Sequence, residues 1–130
     1  MDSTAPLALI VDDDIDWVEI LEASISTLGY ETCTVSDPPH ARAWLAKNKP
    51  ALIVADLLMP NGDGIGLCQW IRSQPGLNEI PVVIITGLKD EQALTQARSL
   101  GGVDFLHKPF KLEALKSATE RLVHSTHAAH

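Results

Sequence analysis

The chain has 130 residues, 45% hydrophobic and 21% charged, proportions that exclude a disordered or fibrous protein and fit one compact domain with its own core. Ten Lys and Arg stand against 17 Asp and Glu, a net charge of −7. That balance argues against a nucleic-acid-binding surface and favours cations or basic partners.

The first apolar run, Leu7 to Val11, ends abruptly in Asp12-Asp13-Asp14. Further runs follow at Ala51 to Ala55, ending in Asp56, at Pro81 to Thr86, and at Val103 to Leu106, just before His107-Lys108. Short Val/Ile-rich runs of this kind read as strands buried on both faces. Tyr30 to Val35 is more polar and alternates, as an edge strand does. Between the strands lie helical patterns. Trp17, Val18, Leu21, Ile25 and Leu28 recur at helical spacing, with Gly29 as a stop. Asp37 before Pro38 is an N-cap and first-turn proline, opening a helix with Ala41, Trp44 and Leu45 on its inner face. Leu67, Cys68, Trp70 and Ile71 mark a third helix, ended by Pro75-Gly76. Asp90 to Leu100 gives a fourth, with Leu94 and Ala97 inward; Leu112, Leu115, Ala118 and Leu122 give a fifth. Strand and helix thus alternate five times, which predicts an α/β fold with a doubly wound parallel sheet.

Cys33 and Cys68 read as reduced, apolar side chains rather than a disulfide framework. The first residues lack the basic start and long apolar run of a secretory signal. No stretch reaches the roughly 18 apolar residues of a membrane helix, so the expected location is the cytoplasm. The folded unit is expected to end near Val123, with residues 124–130 a frayed tail. Met1 and its short lead read as a natural start, whereas the end leaves open an output domain beyond residue 130.

Ligands of doubly wound sheets bind at the carboxyl ends of the strands. Acid stands there twice, as Asp12-Asp13-Asp14 and as Asp56, with Thr86 and Lys108 at the ends of two further strands. Like charges held together are costly unless a cation neutralises them. Oxygen donors without His or Cys suit a hard ion such as Mg²⁺. A carboxylate can attack phosphorus, and an ammonium and a hydroxyl can stabilise the phosphoryl group. Asp14 reads as a cap for the first helix or a solvated loop residue. Asp63 reads as a turn former. Trp17 and Trp70 read mainly as core, with partner docking the lesser reading for Trp17.

The runs Ile10-Val11-Asp12-Asp13-Asp14, Asp56-Leu-Leu-Met-Pro-Asn-Gly-Asp-Gly64, Ile84-Ile85-Thr86-Gly87 and Lys108-Pro109-Phe110 together resemble the receiver domain of bacterial two-component response regulators. The likeness spans about Leu7 to Val123. It implies a flavodoxin-like sheet in the order 2-1-3-4-5 with five helices. Asp56 would accept the phosphoryl group. Asp12, Asp13, Asp56 and the Leu58 backbone carbonyl would hold Mg²⁺. Lys108 and Thr86 would contact the phosphoryl oxygens, and Phe105 would turn inward as Thr86 moves. Lys108-Pro109 would be cis. The donor would be a histidine kinase or histidine phosphotransfer protein. The face of the fourth helix, fifth strand and fifth helix would change shape for an effector, or pair in a homodimer. The domain would catalyse only its own phosphorylation and dephosphorylation, without direct contact to nucleic acid or membrane. The alternatives are a receiver within a longer transcriptional or enzymatic regulator and an aspartate-nucleophile phosphohydrolase. The latter normally has a second carboxylate two residues after the nucleophile, where this chain has Leu58.

Two departures stand out. Leu58 and Leu88 occupy positions that in similar receivers flank the hydrolytic water. Neither can orient it, which predicts slow self-dephosphorylation. Gly101-Gly102 replaces a usual Gly-Ala, adding backbone freedom or costing stability.

Overall fold

The computed structural model describes residues 5–59, 61–87 and 91–128. Five parallel strands form one sheet: β1 (Leu7–Val11), β2 (Glu31–Val35), β3 (Leu52–Asp56), β4 (Val82–Thr86) and β5 (Val103–His107). Their order is β2-β1-β3-β4-β5, as the sequence reading expects. Helices α1 (Ile15–Thr27), α2 (Pro38–Leu45), α3 (Gly64–Ser73), α4 (Glu91–Arg98) and α5 (Leu112–Ala128) connect or follow them.

Alternation along each strand divides the core in two. Leu9 and Val11, Ile53 and Ala55, and Val82 and Ile84 face one side, where they meet Ala41 and Leu45 of α2 and Leu67, Cys68 and Ile71 of α3. Ala8 and Ile10, Leu52 and Val54, and Val83 and Ile85 face the other, against Leu21 and Ile25 of α1 and Leu115, Ala118 and Leu122 of α5. Burial on both faces explains why β1, β3 and β4 are almost unbroken aliphatic runs. In-register pairing, with Ile10 beside Val54 and Val54 beside Val83, carries the alternation across the sheet.

The strand order reverses between β1 and β3. Pairing continues past the strand ends: Asp12 N donates to Val35 O of β2 at 3.1 Å and Leu57 N to Ile85 O of β4 at 3.0 Å. The β1–β3 register itself, with Val11 beside Ala55, sets the acidic ends of those two strands side by side.

Some boundaries differ from the sequence reading. Asp14 caps α1, which begins at Ile15, by accepting from Asp16 N and Trp17 N, in line with one of its two sequence readings. Asp63, read as a turn residue, caps α3 by accepting from Gly66 N at 2.6 Å. A two-strand antiparallel hairpin, Leu58–Met59 with Gly62–Asp63, fills the connection after Asp56. Helix α5 continues through Ala128, where fraying from His124 is expected; no Gly or Pro interrupts that stretch. Leu88 and Asp90 lie outside the described residues, as do the side chains of Leu94 and Ala97.

The Gly101-Gly102 pair has a packing reason. Both residues are left-handed, at φ 74° and 65°. Their carbonyls accept from Arg72 of α3, Gly101 O from Nε at 3.0 Å and Gly102 O from Nη2 at 2.9 Å. A Cβ on Gly102 would stand 2.7 Å from that Nη2. The second glycine therefore admits the guanidinium that ties α3 to the turn before β5.

A second latch ties α2 to the loop after β3. The buried Asp37 carboxylate accepts from His40 N at 3.0 Å and from Asn61 Nδ2 at 3.3 Å, and lies 2.6 Å from His40 Nδ1. The His40 backbone N–H, then its imidazole, holds this carboxyl below its ordinary value of 3.8. A carboxyl with a lowered folded pKa stabilises the fold above 3.8, and that contribution is lost as pH falls through the folded value. Asp37→Ala is expected to lower the urea midpoint at neutral pH, and the gap to the parent protein to narrow below pH 3.8. A gap that stays constant through the acid range would contradict this reading.

Candidate functional site

The site lies at the carboxyl edge of the sheet, on the ends of β1, β3, β4 and β5. Asp12 follows β1, and its residue is only 2% exposed. Its Oδ1 accepts from Asp14 N at 3.0 Å. Its Oδ2 is buried without a hydrogen-bond partner, and Lys108 Nζ stands 3.8 Å away. Burial, together with the negative charges of Asp56 and Asp13, raises the Asp12 pKa, against the Asp14 N–H and the Lys108 charge, which lower it. Asp13 is exposed beside it. Asp56 ends β3, and its Oδ2 lies 3.3 Å from Lys108 Nζ.

Asp12, Asp13 and Asp56 each offer an oxygen within 4.8 Å of the others. At an effective dielectric of about 20, two unit charges at that separation repel by roughly 3 kcal/mol. One ammonium against three carboxylates leaves the group net negative. The unpartnered buried oxygen of Asp12 and the all-carboxylate donor set fit a hard divalent cation. The chemistry of the site therefore matches Mg²⁺ on its own residues.

The structure brings Asp12, Asp13, Asp56 and Lys108 together. Thr86 ends β4 and is buried, and its carbonyl accepts from Lys108 N at 2.8 Å. The Lys108-Pro109 peptide is cis. Leu58 stands in the hairpin after Asp56 with a 58% exposed side chain. Phe105 pairs in register with Ile84 rather than Thr86, packs partly buried against the α2–α3 side of the core, and has Arg98 Cζ 5.9 Å from its ring centroid.

Two residues acquire a place at the site that the sequence reading does not give them. Gly64 begins α3 directly beneath the acidic edge, where its N donates to Leu57 O at 2.8 Å. A Cβ there would meet Asp56 O at 2.6 Å and Ile84 Cδ1 at 3.1 Å. Only a glycine lets α3 start this close to the backbone of Asp56. The second is Trp17, whose ring lies 4.8 Å from Lys108 Nζ. Its helical spacing conceals this, because Trp17 fits the inner stripe of α1 in sequence.

Comparison with known proteins agrees with this geometry. Residues 8–120 match the response regulator receiver domain family. The transcriptional regulatory protein GltR of Pseudomonas aeruginosa is 34% identical over 115 residues, covering 88% of this chain and 48% of that protein. Response regulator PleD of Caulobacter vibrioides is 39% identical over 101 residues, covering 78% of this chain and 22% of PleD. A crystal structure of the signal receiver domain of a signal transduction histidine kinase from Syntrophus aciditrophicus superposes with a TM-score of 0.83. That domain is 36% identical, with 93% of this chain and 92% of that one covered. This chain spans about half the length of the first curated relatives it matches.

Gly64→Ala is expected to lower stability by about 1–3 kcal/mol, because the added methyl meets backbone that cannot yield. Urea unfolding measures this. A variant as stable as the parent would show that the Asp56–Gly64 approach is not constraining.

Proposed function

This chain belongs to the response regulator receiver domain family, and on that premise we propose that residues 1–123 accept a phosphoryl group on Asp56 from a phosphohistidine donor. The observation that carries this reading is the Asp56 carboxylate, set 3.3 Å from the Lys108 ammonium and within ligand reach of two further carboxylates.

Asp56 attacks phosphorus through one carboxylate oxygen. A P–O bond forms as the P–N bond to the donor imidazole breaks, and the departing nitrogen keeps the electron pair. Asp12, Asp13, Asp56 and the Leu58 backbone carbonyl would hold Mg²⁺. A bound Mg²⁺ supplies positive charge to the phosphoryl oxygens. Lys108 pairs with one of those oxygens, and the Thr86 hydroxyl donates to another. Phosphorylation replaces one negative charge with about two and adds strong acceptors. Thr86 moves toward them, and Phe105 turns inward behind it. The face of α4, β5 and α5 then changes its preference for a partner.

The donor is a histidine kinase or histidine phosphotransfer protein, and the α4–β5–α5 face serves an effector or a second copy. The domain turns over no free substrate and works in the cytoplasm. Among the described residues, no helix is long and apolar enough to cross a membrane. The greater length of the curated relatives favours a second reading, in which this domain governs an output domain of a longer regulator. Leu58 argues against a phosphohydrolase, since it stands where such an enzyme places its second carboxylate.

Incubation with acetyl phosphate is expected to add one phosphoryl mass to the intact protein, only with Mg²⁺ and only with Asp56 present. Asp56→Asn is the control. No adduct with release of free phosphate would favour a hydrolase, and no adduct without release would indicate a module that does not take phosphate.

The adduct should also decay slowly, since leucine at 58 offers no group to orient water. Its exposed side chain does not close the site, so the slowing rests on that missing polar group. Leu58→Asn is expected to hasten decay of the phosphorylated form. An unchanged lifetime would remove Leu58 from the account.

A further inference from the structure

Among the described residues, two acids and one aromatic ring lie near the Lys108 ammonium. Asp56 Oδ2 lies 3.3 Å away and Asp12 Oδ2 3.8 Å. The Trp17 ring centroid lies 4.8 Å from Nζ. The same ring stacks on Phe110, with centroids 5.6 Å apart and planes at 27°. One indole thus touches both Lys108 and the residue just past Pro109.

Trp17 is not a core tryptophan. Trp44 and Trp70 pack against the α2–α3 core, whereas Trp17 joins neither core cluster among the described residues. Its backbone N bonds Asp14 Oδ1 at 3.4 Å, and Asp14 N bonds Asp12 Oδ1 at 3.0 Å. The turn that presents the carboxylates therefore also seats the indole.

A lysine ammonium is a compact charge on a flexible stem. The net-negative carboxylate group draws it inward, toward the place a metal ion would take. The electron-rich ring face also attracts it and is not competed for by a hard ion. We propose that Trp17 is a positioning residue for phosphoryl acceptance, its ring holding the Lys108 ammonium at the rim of the carboxylate cluster beside Asp56. This role rests on the phosphoryl-accepting function proposed above. Neither the carboxylates nor Lys108 alone provides it, because once a cation engages Asp12 the ammonium loses one of its two acidic partners.

Two measurements test it. Trp17→Leu removes the aromatic face, and Trp17→Phe restores one. Phosphorylation by acetyl phosphate at saturating Mg²⁺ should slow about three- to tenfold in Trp17→Leu and recover to within about twofold in Trp17→Phe. The Mg²⁺ binding midpoint, which the carboxylates set, should move by less than about twofold in either. A parent-like rate in Trp17→Leu, or a rate loss matched by weakened Mg²⁺ binding, would overturn the role.

The second readout needs no activity. With Trp44 and Trp70 replaced by Phe, Trp17 is the only tryptophan, and Lys108→Met should shift its fluorescence emission in the metal-free protein. An unchanged spectrum would overturn the contact, even if Trp17→Leu failed to fold. If the parent protein takes no phosphoryl group, the receiver function fails and this role with it. If it does, loss of the role alone leaves that function standing.

Discussion

Ionised carboxylates repel, and this fold holds three of them with ligand atoms within 4.8 Å at the point where its strand order reverses. The sheet leaves little choice in the matter. The register of β1 on β3, with Val11 beside Ala55, sets Asp12 and Asp56 as neighbours, and burial of Asp12 raises its pKa. Only Lys108 opposes that charge at close range among the described residues. The protein therefore stores unfavourable electrostatics where a divalent ion and a phosphoryl group would relieve it. Functional sites often carry such a local cost against an otherwise consistent fold.

That cost is tolerated because the surroundings are rigid on both sides. The two halves of the core bury all of β4 and all but one residue each of β1 and β3, and α3 starts so close to Asp56 that only Gly64 fits. The Asp37–Asn61 bond fastens the loop after Asp56 to the start of α2. Arg72 fastens the turn before β5 to α3. The first latch lies beside the carboxylates and the second at the opposite, amino edge of the sheet. The face toward α4 and β5 is held differently. Phe105 is half-buried and Arg98 lies over its ring.

Much of this was legible in the sequence, for identifiable reasons. Aliphatic runs that end in Asp12, Asp56, Thr86 and just before Lys108 reveal both the strands and the edge they share, because strand direction is common in a parallel sheet. The meeting of Asp12, Asp13, Asp56 and Lys108 at that edge was legible too, but the aromatic contact there was not. Trp17 falls on the inner stripe of α1 by spacing, yet its ring reaches Lys108, since helical period fixes a residue's angle but not what a long side chain meets at the helix end. The two glycines at 101 and 102 read as freedom or cost, whereas both carbonyls accept from Arg72, 29 and 30 residues away in sequence, and Gly102 makes room for its guanidinium. Helix α5 ran past its apolar stripe because nothing in His124 to Ala128 breaks a helix.

The central claim is that the carboxylate cluster is destabilising by itself and becomes favourable with a bound cation. Ligand binding to the folded state raises stability by mass action, so unfolding of the parent protein and of Asp13→Asn with and without Mg²⁺ tests it most directly. The account predicts that Asp13→Asn is more stable than the parent without Mg²⁺, and that added Mg²⁺ stabilises the parent far more than the variant. A parent protein indifferent to Mg²⁺, or a variant less stable without it, would contradict the account.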